Sequence, residues 1–118
     1  MSDCIFCKIV AGTIPSRKVY EDEYLYAFHD IRPAAPVHFM IIPKAHVASL
    51  TDCDESHGAD LARLLLAAPK LARAQGLADG FRTIINTGKD GGQEVYHLHL
   101  HVLGGGPPRP LAQAFPAA

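Results

Sequence analysis

The sequence predicts one α+β domain with about five strands in a mainly antiparallel sheet, one long helix and a short N-terminal helix. Short β-rich segments follow one another directly along much of the chain, and a helical stripe interrupts them only once, between residues 61 and 75. This order of elements is typical of α+β domains. A chain of 118 residues is long enough for one hydrophobic core and too short for two domains.

Charge and composition narrow the classes of partner. Eleven basic and twelve acidic residues nearly cancel, and no basic stripe is present, so neither nucleic acid nor an anionic membrane is an expected partner. No apolar run reaches membrane-spanning length, which predicts a soluble cytoplasmic protein. Three cysteines argue against a disulfide scaffold and for reduced thiols or a metal.

The first part of the chain predicts a helix, a hairpin and a loop. Apolar residues at helical spacing in Cys4–Val10 predict a short helix that stops near Gly12. The segments Lys18–Glu21 and Tyr24–Phe28 are separated by a polar turn, which predicts a β-hairpin. Two prolines in His29–Pro36 predict a loop.

The second part of the chain predicts two more strands around the long helix. The β-rich segment Val37–Ile42 is bounded by prolines, and Phe81–Asn86 follows the helix. We expect a kink at Pro69, which lacks a backbone donor, and Gly76 to end the helix. The glycine-rich loop 87–94 then allows backbone amides to approach a ligand closely.

The last predicted strand carries three histidines. Polar and apolar residues alternate strictly from Tyr96 to Leu103, so His97, His99 and His101 share one face of the strand. The alternate residues would join a core. Imidazole can act as nucleophile, base, acid or metal ligand near neutral pH, so a cluster of three points to chemistry. The competing interpretation is an ordinary amphipathic strand whose histidines face solvent.

Two further features concern histidine and cysteine. His38 lies on an otherwise apolar strand, and a buried histidine needs a hydrogen-bond partner, so we expect it to face another polar group of the site. The pair Cys4 and Cys7 has the spacing of a redox pair, of half a zinc site, or of two small core residues. The spacing alone leaves these three interpretations open.

Four blocks of sequence resemble one family. They are Ala27–Ile31, Ala35–Lys44, Asp90–Tyr96 and His97–Gly105, and their order and spacing resemble those of the histidine-triad (HIT) superfamily, within it the Hint-type purine nucleoside phosphoramidases. The resemblance extends from about Cys4 to Gly105. It implies a HIT domain over residues 1–106 and a homodimer. Residues 107–118 lack periodicity, which predicts an extended or disordered tail.

The resemblance also implies a reaction. His99 would attack the α-phosphorus of a purine nucleoside 5′-phosphoramidate or acyl-adenylate, and water would then release the nucleotide; no metal is needed for this chemistry. His101 would hold a phosphate oxygen, and His38 would face His97 and His99. Amides of the loop Gly92-Gln93-Glu94 would stabilise developing negative charge.

Further residues are assigned by the same resemblance. Asp30 would bind the ribose hydroxyls, and Asn86 and Gln93 would contact the phosphate or the leaving group. Glu94 occupies a position where some members carry serine; it would either protonate the leaving amine or only hydrogen-bond to it. The base pocket would be lined by Phe28, His29, Ile31, Ile5, Phe6, Ile9 and Ile14.

The resemblance completes the metal site and leaves two other functions open. Many superfamily members with the N-terminal cysteine pair bind structural zinc, which implies the ligands Cys4, Cys7, His46 and His97 here. The first alternative function is hydrolysis of dinucleoside polyphosphates. The second is a regulatory module whose histidines only bind a nucleotide or zinc.

Overall fold

The computed structural model describes residues 3–107, which form a five-stranded antiparallel sheet with two α-helices, as the sequence predicts. The sheet has the order β1-β2-β3-β5-β4. The predicted tail lies outside the described residues except for Pro107. The elements in chain order are α1 (Ile5–Val10), β1 (Lys18–Glu21), β2 (Leu25–His29), β3 (Val37–Pro43), α2 (Gly58–Ala74), β4 (Arg82–Ile84) and β5 (Leu100–Gly104).

Both helices cover the segments that the sequence predicts as helical, and both end at or before the predicted glycine. The Sγ of Cys4 caps α1 by accepting the N–H of Cys7 at 3.3 Å. Helix α2 continues through Pro69 to Ala74, and Gly76 follows it with φ 83°. Pro69 has no N–H to donate to the carbonyl one turn earlier in the helix. Because its ring is exposed, water can donate to that carbonyl instead.

The sheet separates two hydrophobic clusters. The face toward α2 carries Phe39, Ile41, Leu100 and Val102, together with Leu64 and other residues of that helix. The opposite face carries a smaller cluster under α1, which contains Phe6, Ile9, Tyr26, Phe28, Met40 and Ile42. The histidines face this second side because Met40 and His101 are register partners, and directly opposed residues point to the same face of a sheet.

The histidine segment is less regular than the sequence predicts. Strand β5 begins at Leu100 and not at Tyr96, and the N–H of Leu98 donates to the carbonyl of Val47 at 2.8 Å. The alternation of faces nevertheless persists, since Leu98 lies in the α2 cluster. His97, His99 and His101 are 0%, 1% and 0% exposed, which excludes the solvent-facing interpretation.

In the described part of the chain, neither α1 nor α2 is long and apolar enough to cross a membrane.

Candidate active site

The geometry of His99 determines which of its ring nitrogens carries the lone pair. Its Nδ1 lies 2.7 Å from the main-chain oxygen of His97, and a carbonyl oxygen can only accept, so Nδ1 carries the proton. In the neutral ring the lone pair is therefore on Nε2. The edge of the ring packs against Phe6, with 5.2 Å between ring centroids, and this contact limits rotation.

His38 contacts a different histidine from those the resemblance implies. We expected it to face His97 and His99, but its Nε2 lies 2.9 Å from Nδ1 of His101. The register of β3 and β5 explains this difference, because His38 pairs with Leu103 and His101 is the diagonal neighbour on the same face. His99 is two residues further along the chain.

Burial keeps these rings neutral near pH 7. It lowers the pKa of His101 to about 3, and the charges of His99 and His38 act in the same direction. Burial also lowers the pKa of His97 to about 4, although the hydrogen bond to Pro43 opposes this change. The pKa of His38 is lowered by burial against the opposing effect of Asp30. Neutral imidazole is the form that can act as nucleophile or metal ligand.

The residues that the resemblance implies for binding the nucleoside lie partly in buried and partly in exposed positions. Asp30 lies beside the histidines, with Oδ2 3.5 Å from Nε2 of His38 and Oδ1 accepting the N–H of Arg32 at 2.8 Å. Phe6, Ile9 and Phe28 are buried, and His29 and Ile14 are partly buried. Ile5 and Ile31 are instead 46% and 91% exposed, so they are free to close over a base, and Ile5 lines an open cavity with Cys4 and Glu94.

The glycine-rich loop differs most from expectation. The side chain of Gln93 is 6% exposed and is occupied by the main chain: Nε2 donates to the carbonyls of Ala48 and Val95 at 2.8 and 3.0 Å, and Oε1 accepts the N–H of Gly88 at 2.9 Å. These three bonds hold the loop in place. They leave the Gln93 amide no group with which to contact a phosphate in this conformation.

The main-chain amides of the loop are also mostly engaged. The N–H of Gly92 donates to Lys89, and that of Gln93 donates to Gly88. The N–H of Glu94 donates to no group among residues 3–107, so it is the one amide of the three that remains for a phosphate. The Glu94 side chain is exposed and lines a cavity of about 470 Å³ with Cys4 and His46.

Asn86 is placed to receive a hydrogen bond. Its Nδ2 donates to the carbonyl of Gly91 at 2.8 Å, which fixes the orientation of the amide. Its Oδ1 is buried and has no hydrogen-bond partner within the described residues. A buried acceptor of this kind suits an N–H of a bound ligand.

Cys4, Cys7, His46 and His97 form a group that could hold a metal. Nδ1 of His97 lies 3.3 Å from Sγ of Cys4, 3.6 Å from Sγ of Cys7 and 3.1 Å from Nδ1 of His46. Tetrahedral zinc, with its usual bond lengths, requires S···N separations of about 3.5 Å and N···N separations of about 3.3 Å. The three separations from His97 are within about 0.2 Å of these values, and all four donor atoms lie within 4.8 Å of one another.

The tautomer of His97 also fits a metal ligand. Its Nε2 lies 2.8 Å from the carbonyl oxygen of Pro43, so Nε2 carries the proton and Nδ1 presents its lone pair to the cysteines. Metal-bound histidines commonly donate their second ring N–H in this way. Sequence analysis missed Pro43, and it also missed Ala34, whose N–H donates to His38 at 3.0 Å. Both act through the main chain, which leaves no residue-type signal.

Comparisons with known proteins agree with this geometry. The HIT domain family matches residues 11–107. Protein HitA of Neisseria gonorrhoeae is 53% identical over 104 residues, which cover 88% of this chain and 97% of that protein. Purine nucleoside phosphoramidase of Escherichia coli K12 is 46% identical over 110 residues, or 92% of each chain. A HIT family hydrolase from Legionella pneumophila has a solved structure that is 50% identical, covers 89% of this chain and 95% of its own, and superposes with a TM-score of 0.87.

Proposed function

The chain belongs to the HIT domain family, and on that premise we propose that it hydrolyses the P–N bond of purine nucleoside 5′-phosphoramidates, with acyl-adenylates as related substrates. The name of the Escherichia coli relative, purine nucleoside phosphoramidase, supports this substrate class. The observation that carries the proposal is the hydrogen bond from Nδ1 of His99 to the carbonyl of His97, because it makes Nε2 of His99 the nucleophilic atom.

The reaction proceeds in two displacements. The lone pair on Nε2 of His99 forms a bond to the α-phosphorus while the bond from phosphorus to the amine nitrogen breaks, and the amine leaves with a proton. Water then attacks the phosphorus and gives up a proton to the solvent, the bond to Nε2 breaks, and the nucleoside monophosphate is released. Imidazole is both a good nucleophile and a good leaving group, so one difficult displacement is divided into two easier ones.

The other residues stabilise charge and hold the nucleoside. His101 lies 5.0 Å from His99 between ring centroids and donates to a phosphate oxygen. The amide of Glu94 donates to a second oxygen, and its carboxyl group supplies the proton or a hydrogen bond to the amine. Asn86 accepts from the leaving amine, and Asp30 accepts from the ribose hydroxyls. The base lies beside Phe28, between the exposed Ile5 and Ile31.

We also propose that the metal held by Cys4, Cys7, His46 and His97 is zinc. Two thiolates and two imidazoles form a donor set that zinc prefers, and four protein ligands complete its tetrahedron, so the ion is structural. It ties α1 to the segment before β5 and supplies no step of the reaction. Reduced cysteines of this kind suit a cytoplasmic protein.

A homodimer is part of the same proposal. Strand β4 lies at one edge of the sheet, and an edge strand needs cover. Leu65 and Leu66 of α2 are 56% and 67% exposed, which is unusual for two consecutive leucines of a monomer. A sedimentation mass near that of one chain would contradict the dimer.

The function is tested by intact-protein mass spectrometry after brief mixing with an adenosine phosphoramidate and rapid quenching. We expect an adenylyl adduct and accumulating AMP with the unaltered protein, and neither with His99→Ala. A matched control is His57→Ala, which removes a histidine outside the site and should keep both signals.

Three outcomes would contradict the proposal. The first is full AMP release by a folded His99→Ala variant. The second is a bound nucleotide with neither adduct nor AMP, which would favour a binding module. The third is much faster cleavage of dinucleoside polyphosphates than of phosphoramidates, which would change the substrate class.

A further inference from the structure

The loop before β3 contacts the site through one main-chain group. The N–H of Ala34 donates to Nδ1 of His38 at 3.0 Å. A backbone N–H can only donate, so Nδ1 of His38 must carry the lone pair. In the neutral ring the proton is therefore on Nε2. A doubly protonated His38 is excluded because it would place two N–H groups against each other.

A second contact favours the same tautomer of His38. Oδ2 of Asp30 lies 3.5 Å from Nε2 of His38, so its negative charge favours a proton on the nearer ring nitrogen. This preference agrees with the tautomer that the N–H of Ala34 assigns. Nε2 of His38 lies 2.9 Å from Nδ1 of His101, so His38 donates and His101 accepts.

The tautomer of His38 determines the tautomer of His101. Because its Nδ1 accepts, the proton of the neutral ring is on Nε2. We propose that the main-chain N–H of Ala34, acting through His38, holds His101 as the Nε2–H tautomer and so makes it a hydrogen-bond donor to the phosphate of the substrate. His38 is a positioning residue in this arrangement, and its use in the reaction rests on the function proposed above.

The alternative tautomer shows why this matters. With the proton on Nδ1, His101 would direct a lone pair at an anionic phosphate oxygen, and a stabilising donor would become a repulsive acceptor. Losing one preorganised donor of this kind lowers kcat by about 10²–10³-fold in other enzymes. The pKa values of His38 and His101 are both lowered, so both rings are neutral near pH 7. A neutral ring carries its proton on one nitrogen only, whereas a cationic ring would donate from both.

The direct test is ring ¹⁵N NMR of the full-length, metal-loaded protein without substrate. We expect protons on Nε2 of both His38 and His101, and a scalar coupling through the hydrogen bond between Nε2 of His38 and Nδ1 of His101. A proton on Nδ1 of His101 would overturn the proposal. This readout needs no activity, so a failure of the proposed function would leave it intact.

The role of the Ala34 amide is tested by replacing Ala34 with lactic acid, which turns the amide into an ester and removes the N–H while keeping the side chain. We expect the ¹⁵N shifts of both rings to move and kcat to fall. The matched control is the same replacement at Ala35, whose N–H donates to no group among residues 3–107. Ring shifts that are identical in the Ala34 and Ala35 esters would overturn the proposal.

Two variants of His38 separate positioning from folding. His38→Gln keeps an N–H donor near the position of Nε2, whereas His38→Met has similar length and no donor. We expect the methionine variant to lose at least about tenfold more kcat than the glutamine variant, with similar KM, and the methionine variant alone to show altered ¹⁵N shifts at His101. Equal losses in two equally stable variants would contradict the proposal. If the methionine variant does not fold, the ester pair and the unaltered protein still decide it.

Discussion

Replacing Gln93 by glutamate tests whether this side chain holds the loop or contacts the substrate. The substitution keeps the shape of the side chain and the acceptor for Gly88, but it replaces the Nε2 donor by an oxygen that faces the carbonyls of Ala48 and Val95. Two hydrogen bonds are lost, and two carbonyls are left against a carboxyl group that is almost wholly buried.

The expected magnitude follows from these contacts. Each buried polar group that loses its partner costs about 1–3 kcal/mol, so two of them lower the free energy of unfolding by about 2–6 kcal/mol. For a domain of this size such a loss corresponds to a fall in Tm on the order of 10–20 °C. The result is measured by thermal unfolding and by urea midpoints near pH 7.

The control makes the same chemical change at a different position. Gln75 follows α2, and its side chain makes no hydrogen bond within residues 3–107, so Gln75→Glu should change the stability only by about 0.3–1 kcal/mol, through the charge near a helix C-terminus. If Gln93→Glu were as stable as this control while KM for the nucleotide rose sharply, Gln93 would be a substrate contact. The hypothesis that its side chain holds the loop in place would then be wrong.

Two further outcomes are expected. The pKa of His101 is near 6.5 in the unfolded chain and about 3 in the fold, so its contribution to stability is complete above pH 6.5 and is lost as the pH falls toward 3. Between pH 7 and pH 5 the unaltered protein should lose about 2 kcal/mol more than His101→Gln in urea unfolding, and equal losses would contradict the assignment. Metal analysis should find one zinc per chain in the unaltered protein and in Cys53→Ser, and none in Cys4→Ser. A chelator should lower Tm in the first two proteins and not in the third, and a zinc content that Cys4→Ser does not change would refute the site.

The parts of the fold that depend on periodicity could be predicted from the sequence. The sheet, the two helices and the single face of the histidines follow from alternation and from Pro and Gly positions, and α1 and β1 have almost the predicted bounds. The late start of β5 could not be predicted, because the alternation of Tyr96–Leu103 continues through residues that have left the ladder. Periodicity reports which face a side chain takes, and it does not report where its backbone hydrogen bonds go.

The site shows the same limit. The histidine cluster was found because its residue type carries the chemistry, whereas the four residues of the metal group were brought together only by the family resemblance. The partner of His38 depends on strand register, which places it diagonal to His101 and which the sequence did not specify. The hydrogen bonds of Gln93 could not be predicted for a related reason: a buried amide and a ligand-binding amide look identical in sequence, and only the positions of the carbonyls of Ala48 and Val95 distinguish them.

The break in the strand before Leu100 has a consequence for protein design. The carbonyl of His97 is available to His99 only because it takes no part in the pairing of β3 with β5, whose register ends at Leu100. A designer who lengthened β5 by two residues to gain sheet hydrogen bonds would turn that carbonyl toward a neighbouring strand and leave the imidazole free to rotate. Extra stability obtained at this position would therefore be gained at the expense of activity, as in other proteins whose local irregularity serves the reaction.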